Sequence, residues 1–145
     1  MNPKTLKSLA WRWGPALMMM TAIFIASSIP KEEMPTFGFW DLLVKKGGHM
    51  VGYGLLAVAY LHALARKSGG PRANLAQVVW AILLAGLYGA TDEFHQLFVA
   101  GRGASLMDVM IDTVGAALGS GVRVMISHRW GSTDGADATN KIKNP

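Results

Sequence analysis

The chain has 145 residues, of which 51% are apolar and 16% charged, and its formal net charge is +5 at pH 7. This length fits one domain, and the apolar content excludes disorder for most of the chain. The absence of cysteine excludes a disulfide framework, a thiol nucleophile and a thiolate metal site. A basic chain can bind nucleic acid or an anionic membrane surface, and the positions of the charges decide between the two.

Three long stretches carry no charged residue, namely 13–30, 47–65 and 73–91. Their length is close to the roughly 20 apolar residues that a transmembrane helix needs. A soluble amphipathic helix would place charges on its outer face, and a chain this short has too little exterior for a soluble bundle of fully buried helices. The stretches therefore predict transmembrane spans at about 13–30, 48–65 and 74–91.

A fourth apolar stretch, 106–126, contains Asp108 and Asp112 and completes the set of predicted spans. The predicted fold class is all-α, a polytopic membrane protein with four transmembrane helices in a small bundle. Residues 1–130 form one membrane domain, and the polar residues 131–145 are predicted to be a disordered cytoplasmic tail. The N-terminal basic residues and the apolar stretch after them are also typical of a cleavable signal peptide, and this alternative stays open.

The basic residues are distributed unevenly between the two ends of the predicted bundle. One side carries ten of them and the other side four, namely Lys31, Lys45, Lys46 and Arg102. Because cytoplasmic loops are enriched in Lys and Arg, both termini are predicted to be cytoplasmic. The basic residues then act as topology signals, so nucleic acid is not an expected partner.

Polar residues from three separate stretches of sequence fall at the outward ends of the predicted helices. They are Lys46, His49 and Tyr53, then Asp92, Glu93, His95 and Gln96, then Arg102, Ser105, Asp108 and Asp112. Acidic residues inside a membrane are costly and by default indicate a functional site. The alternative is that the acids only pair with Lys46 or Arg102 to hold the bundle together.

Helical spacing predicts where the acids of the fourth span point. Ser105, Asp108 and Asp112 share one face of a helix, and Gly115 and Gly119 continue that face as a G-x-x-x-G motif. Small residues in such a motif let another helix backbone approach closely. The acidic face should therefore point into the bundle and away from lipid.

These motifs resemble the VanZ-like family over about residues 14–126. The resemblance lies in K-x-x-H-x-x-x-Y at 46–53, in D-E-x-H-Q-x-F-x-x-G-R-x-x-S-x-x-D at 92–108, and in the two glycines. This chain has Ala100 where the family commonly has proline, and Asp112 where it commonly has asparagine. The resemblance implies a protein of the bacterial cytoplasmic (inner) membrane in a family associated with resistance to teicoplanin. Members of this kind are suspected of acting on lipids or lipid-linked head groups.

The first functional hypothesis is an enzyme that hydrolyses or transfers a phosphate-containing lipid head group. His49 would be the general base or nucleophile, with a carboxylate of Asp108 or Glu93 orienting its ring. Arg102 and Lys46 would bind the phosphate. The predicted catalytic residues are His49, Glu93, His95 and Asp108. The predicted substrate-binding residues are Lys46, Tyr53, Asp92, Gln96, Arg102, Ser105 and Asp112.

Three alternatives stay open. A metal-assisted reaction would use ligands from His49, Asp92, Glu93, His95 and Asp108, but their spacing matches no named motif, so no metal site is assigned and the cofactor is unknown. A non-catalytic protein would bind a glycopeptide antibiotic or a lipid-linked cell-wall precursor and lower drug access. A structural membrane protein would use the polar residues for assembly only. The expected partners are membrane lipids and a lipid-linked cell-wall precursor.

Overall fold

A computed structural model describes residues 2–67 and 73–143, with side-chain surroundings for 2–65 and 73–127. Its helices are α1 (Pro3–Ser27), α2 (Asp41–Lys67), α3 (Leu75–Gln96) and α4 (Leu106–Lys143). Two short 3-10 turns, Lys31–Glu33 and Gly38–Trp40, connect α1 to α2. Within these described ranges there is no strand, so the predicted all-α class is confirmed.

All four helices contain a stretch long and apolar enough to cross a membrane. These stretches are Pro3–Ser27, Gly38–Ala65, Leu75–Gln96 and Leu106–Ser127. The second one begins earlier than the predicted limit at 48. The charge-free stretch begins only after Lys46, whereas the helix already begins at Asp41. Asp41 and Lys45 lie one helical turn apart, 2.9 Å between their charged atoms, and their pairing lets the helix continue beyond the apolar stretch.

The helix starts follow from side-chain capping. Asn74 and Gln77 form a reciprocal capping box at the start of α3, with both hydrogen bonds 2.9 Å long. Ser105 precedes α4, and its hydroxyl accepts a hydrogen bond of 3.3 Å from the backbone N–H of Asp108. At its other end α4 runs to Lys143 and so includes most of the predicted tail. The disorder of that tail in solution stays a prediction.

Glycine contacts bring α2 and α4 together more closely than any side chain would allow. A Cβ added at Gly119 would lie 2.7 Å from Gly54 Cα, and one added at Gly115 would lie 2.8 Å from Met50 Cα. Real Cβ atoms do not approach backbone this closely, so both positions require glycine. The predicted close approach at the G-x-x-x-G motif is confirmed, and α2 is the partner helix.

The loop between α1 and α2 meets the loop between α3 and α4. The backbone N–H of Lys31 donates to the carbonyl of Ala100 over 3.2 Å, which joins the two connecting loops. At the opposite end of the bundle, Arg12 on α1 donates to the carbonyl of Ala63 on α2. The bundle therefore runs up, down, up and down, and we call the end that holds the two joined loops the site end.

Candidate functional site

A cavity of about 540 Å³ occupies the site end. It is lined by residues of α1, α2 and α4, the end of α3 and both connecting loops. Seven of the predicted site residues line it, namely Lys46, His49, Tyr53, Gln96, Arg102, Asp108 and Asp112. The other four, Asp92, Glu93, His95 and Ser105, lie outside the lining, and their contacts are described below. The fold therefore brings polar residues of three distant sequence stretches to one cavity.

His49 on α2 lies beside Asp112 on α4. His49 Nδ1 is 3.5 Å from Asp112 Oδ1, which is close enough for an ion pair but long for a hydrogen bond. Asp112 is fully buried, and neither of its carboxylate oxygens has a hydrogen-bond donor among the described residues. The ring of Tyr53 lies nearly parallel to that of His49, with centroids 6.3 Å apart. The carboxylate beside His49 is thus Asp112, where the sequence favoured Asp108 or Glu93.

Asp92 forms a buried hydrogen-bond network behind the cavity. Ser27, at the end of α1, donates from its hydroxyl to Asp92 Oδ2 over 2.7 Å, and Gln96 Nε2 donates to the same oxygen over 3.0 Å. All three side chains are buried. Asp92 therefore ties α1 to α3 near the cavity, while Ser27 and Gln96 reach the cavity wall. Ser27 could not be identified from the sequence, since a serine at a helix end carries no distinctive signal.

Glu93 and His95 contact residues that lie outside the cavity lining. Glu93 is buried, and its Oε2 accepts a 2.7 Å hydrogen bond from the backbone N–H of Ser105, which fixes the start of α4 against the end of α3. The ring of His95 packs on that of Phe24, with centroids 4.4 Å apart. These contacts give Glu93, His95 and Ser105 positions that support the cavity from outside, and their predicted catalytic or binding roles stay predictions.

The basic residues at the cavity fall into two groups. Lys46 pairs with Asp108, and Lys45 pairs with Asp41. Lys31 and Arg102 also line the cavity, and no carboxylate in the described part of the chain lies within ion-pair distance of either. The charge pattern of the sequence treats Lys31 and Lys45 as loop charges only, and it does not predict their position in the cavity wall.

Gly101, next to Arg102 in sequence, lies close to Lys31. It adopts φ +70°, in the left-handed region that favours glycine, and a Cβ there would lie 3.1 Å from Lys31 Cβ. Next to it, the Arg102 guanidinium contacts the sulfur of Met34 at 3.6 Å. The two connecting loops therefore each contribute one cation to the cavity wall, and neither cation has a carboxylate within ion-pair distance among the described residues, which suits an anionic ligand.

The candidate metal ligands do not converge. Among the described residues, no three His, Asp or Glu side chains form a group that could hold a metal ion. Asp92, Glu93 and Asp108 each have their own partner, in Ser27, the Ser105 backbone and Lys46. The geometry of these side chains therefore gives the metal-assisted alternative no ligand set.

Comparison with known proteins identifies the family of the chain. Residues 9–127 match the family model described as VanZ/LLP1. The chain belongs to the VanZ-like family. The match contains every residue of the cavity lining and all four predicted spans, and extends slightly beyond the resemblance predicted over 14–126. No curated protein and no solved structure gave a significant match. The chain is thus an integral membrane protein of the VanZ-like family.

Proposed function

We propose that this VanZ-like protein binds the phosphate of a lipid or lipid-linked head group in its cavity and catalyses cleavage or exchange at that phosphate. One observation carries the proposal. Two cations without a carboxylate partner in the described chain, Lys31 and Arg102, line the same membrane-edge cavity as the His49–Asp112 pair. Cations without acidic partners fit an anionic ligand, and a histidine beside a buried carboxylate is the usual arrangement of a general base.

The cations would bind the phosphate. Arginine can bind two phosphate oxygens with parallel hydrogen bonds, and lysine adds a point charge. Charge interactions are stronger at a partly dehydrated membrane edge than in water. In this proposal Lys31 takes the place that the sequence predicts for Lys46, because Lys46 is already paired with Asp108.

His49 would transfer the proton. Its Nδ1 points to Asp112, which leaves Nε2 for the cavity. Nε2 would take a proton from water or from an acceptor alcohol, and the oxygen of that molecule would form the new bond to phosphorus. The bond from phosphorus to the leaving oxygen would break, and the leaving oxygen would take the proton back from His49. Asp112 would orient the imidazole and stabilise its charged form.

Mass spectrometry of total lipids and lipid-linked precursors tests this proposal. Cells would carry the wild type, His49→Ala, His62→Ala or an empty vector, at matched membrane abundance. His62 lies on the same helix as His49, about 20 Å further along it, and is absent from the cavity lining. We expect a head-group change with the wild type and with His62→Ala, and none with His49→Ala. The absence of any change with the wild type would contradict a head-group activity.

The non-catalytic alternative predicts a different result. A binder of a glycopeptide or of a lipid-linked precursor would leave the lipid profile unchanged, and its binding would weaken gradually over several substitutions in the cavity. Direct binding of teicoplanin to the purified protein in nanodiscs measures that alternative. Saturable binding that depends on Arg102, together with an unchanged lipid profile, would replace the enzymatic proposal.

We further propose that the site end faces outward from a bacterial inner membrane, with both termini in the cytoplasm. The excess of Lys and Arg on the opposite side supports this orientation. The chain has no cysteine, so single cysteines can be introduced at Thr36, between α1 and α2, and at Ser132 in the tail. A maleimide that cannot cross membranes should label only the first in intact spheroplasts. Labelling of only the second would invert the proposed topology.

A further inference from the structure

We infer that the hydrocarbon chain of the ligand leaves the cavity sideways, through a slot between α1 and α2, and stays in the bilayer while its phosphate is bound. This inference rests on the proposed function and specifies its substrate class. The ligand is then a phosphate with a long hydrocarbon chain that is never extracted from the membrane, and a soluble phosphate ester is excluded as the native substrate.

The slot is inferred from three small residues that line the cavity on the facing helices α1 and α2. They are Ala26 on α1 and Gly48 and Gly52 on α2. A Cβ added at Gly48 would meet nothing within 4 Å, and one added at Gly52 would meet only Ile23 Cγ1, at 3.9 Å. From Ile23 toward the site end, α1 and α2 therefore do not pack tightly against each other.

The cavity wall continues onto the surface that faces lipid. Leu42 and Val44 on α2 line the cavity, yet their side chains are 67% and 45% exposed. Both lie in Gly38–Ala65, a stretch whose length and composition suit a membrane span, and Ala26, on the other side of the slot, is also exposed. Apolar side chains that are shared between a cavity and the lipid surface are suited to a hydrocarbon chain that passes from one to the other.

The polar parts of the cavity lie where the head group of such a ligand would be. Lys31 and Arg102 line the cavity from the connecting loops. Tyr53 and Asp112 line it from the helices, and their buried oxygens have no hydrogen-bond partners among the described residues. A lipid of the outer leaflet already has its phosphate at the membrane surface and its chain along the bilayer normal. It would enter between α1 and α2 without rotation, and its methylene groups would not have to be exposed to water.

Photo-crosslinking tests the slot even while the chemistry of the head group is undetermined. One set of cells is fed a diazirine-bearing fatty acid, so that acyl lipids carry the probe. In a second arm, the purified protein is reconstituted in nanodiscs with a diazirine-bearing polyprenyl phosphate. After irradiation, labelling of the slot residues 23–26 and 42–52 is compared with labelling around Leu87, a lipid-exposed position on α3. We expect the slot to be labelled above this reference in one arm, which identifies the chain as acyl or isoprenoid.

Variants that fill the slot provide the controls. Ala26→Trp fills it from α1 and Gly48→Leu from α2, where the open space accepts a side chain. Ala22→Trp places the same ring one turn away on exposed α1 surface outside the cavity. We expect both filling variants to reduce slot labelling to the reference level, and Ala22→Trp to leave it unchanged, at equal melting temperature.

The outcomes separate this inference from the proposed function. Slot labelling no higher than the reference in both arms, or labelling that persists in folded Ala26→Trp and Gly48→Leu, would overturn the slot. Specific slot labelling that is unchanged in Arg102→Ala would instead overturn phosphate binding by that arginine and leave the slot standing. Loss of slot labelling in Arg102→Ala, with labelling around Leu87 unchanged, would support both.

Discussion

Replacing Gly115 with alanine should disturb the bundle and the site together. A Cβ at this position would lie 2.8 Å from Met50 Cα and 2.9 Å from Met50 C, and both of these are backbone atoms. Since carbon atoms are in favourable contact at about 3.5–4.0 Å, α2 and α4 would have to separate by roughly 1 Å. Overpacking of this kind costs about 1–3 kcal/mol. That cost corresponds to a decrease of roughly 5- to 150-fold in the ratio of folded to unfolded protein.

The separation would also reach the proposed catalytic pair. Met50 follows His49 directly, and Gly115 lies one helical turn after Asp112. The distance of 3.5 Å between His49 Nδ1 and Asp112 Oδ1 should therefore lengthen. We expect Gly115→Ala to lower the head-group activity of the protein that remains folded, in addition to lowering its folded fraction.

Unfolding by SDS of protein in mild detergent, followed by circular dichroism, measures the free energy of unfolding. Gly121→Ala is the matched control, because Gly121 lies on the same helix and a Cβ there would meet nothing within 4 Å. It should be neutral or stabilising by up to about 1 kcal/mol, since alanine is the better helix former. If Gly115→Ala and Gly121→Ala behaved alike, glycine would not be what allows α2 and α4 to approach.

Three further predictions concern the supports of the cavity. Ser27→Ala removes a donor from the buried carboxylate of Asp92 and should lower the free energy of unfolding by about 1–3 kcal/mol in the same SDS assay. The single and double variants Lys46→Met and Asp108→Asn should give a coupling energy of only about 0.2–1 kcal/mol, because both side chains are partly exposed. Gly101→Ala should lower the melting temperature, since alanine at φ +70° costs about 1–2 kcal/mol.

Each of these predictions has a control variant or a result that would contradict it. Ser28→Ala removes a neighbouring hydroxyl that bonds only within α1, and an effect equal to that of Ser27→Ala would contradict the importance of the bond to Asp92. A coupling energy of several kcal/mol between Lys46 and Asp108 would mean that their ion pair is a main support of the bundle. Gly103→Ala changes the same loop where a Cβ would meet nothing, and an equal loss of stability there would exclude the positive φ as the cause.

The spans and the meeting of three polar groups could be predicted from the sequence because each depends on a long-range regularity. Charge-free stretches set the limits of the spans. Because successive helices cross the membrane in opposite directions, the end of one span and the start of the next lie at the same depth. The i, i+3 and i+7 spacing of Ser105, Asp108 and Asp112 then predicts a face, and two of these residues do line the cavity. Such patterns can be interpreted from the general geometry of a helix, without knowledge of how the helices pack.

The pairing of Lys46 with Asp108 agrees with the structural alternative that the sequence offered for the acids. The partners of most other side chains could not be predicted, since they depend on how far one helix is shifted along another. The contact of Gly115 with the Met50 backbone sets that shift for α2 and α4, and it brings Asp112 to His49 while Asp108 reaches Lys46. Charge counting has the same limit. It treats Lys31 as a topology signal, whereas the backbone hydrogen bond to Ala100 places this lysine at the cavity.

Asp112 is the position where stability and function should respond in opposite directions. A fully buried carboxylate without hydrogen-bond donors among its described neighbours destabilises a bundle. Asp112→Asn removes the charge at constant shape and keeps an oxygen that can accept a hydrogen bond from a protonated His49 Nδ1. We therefore expect Asp112→Asn to unfold no more easily than the wild type and to keep part of its activity.

Asp112→Leu should retain the fold as well, because it replaces an unsatisfied polar group by an apolar one of similar size. It should lose the head-group activity, since nothing would then orient the ring of His49. Parallel unfolding and lipid measurements on the two variants distinguish the possible roles. Loss of folding in both would make Asp112 a structural ion-pair partner, and full activity in Asp112→Leu would remove it from the mechanism. Retention of activity by the asparagine variant alone would assign Asp112 the orienting role, because only asparagine preserves the acceptor.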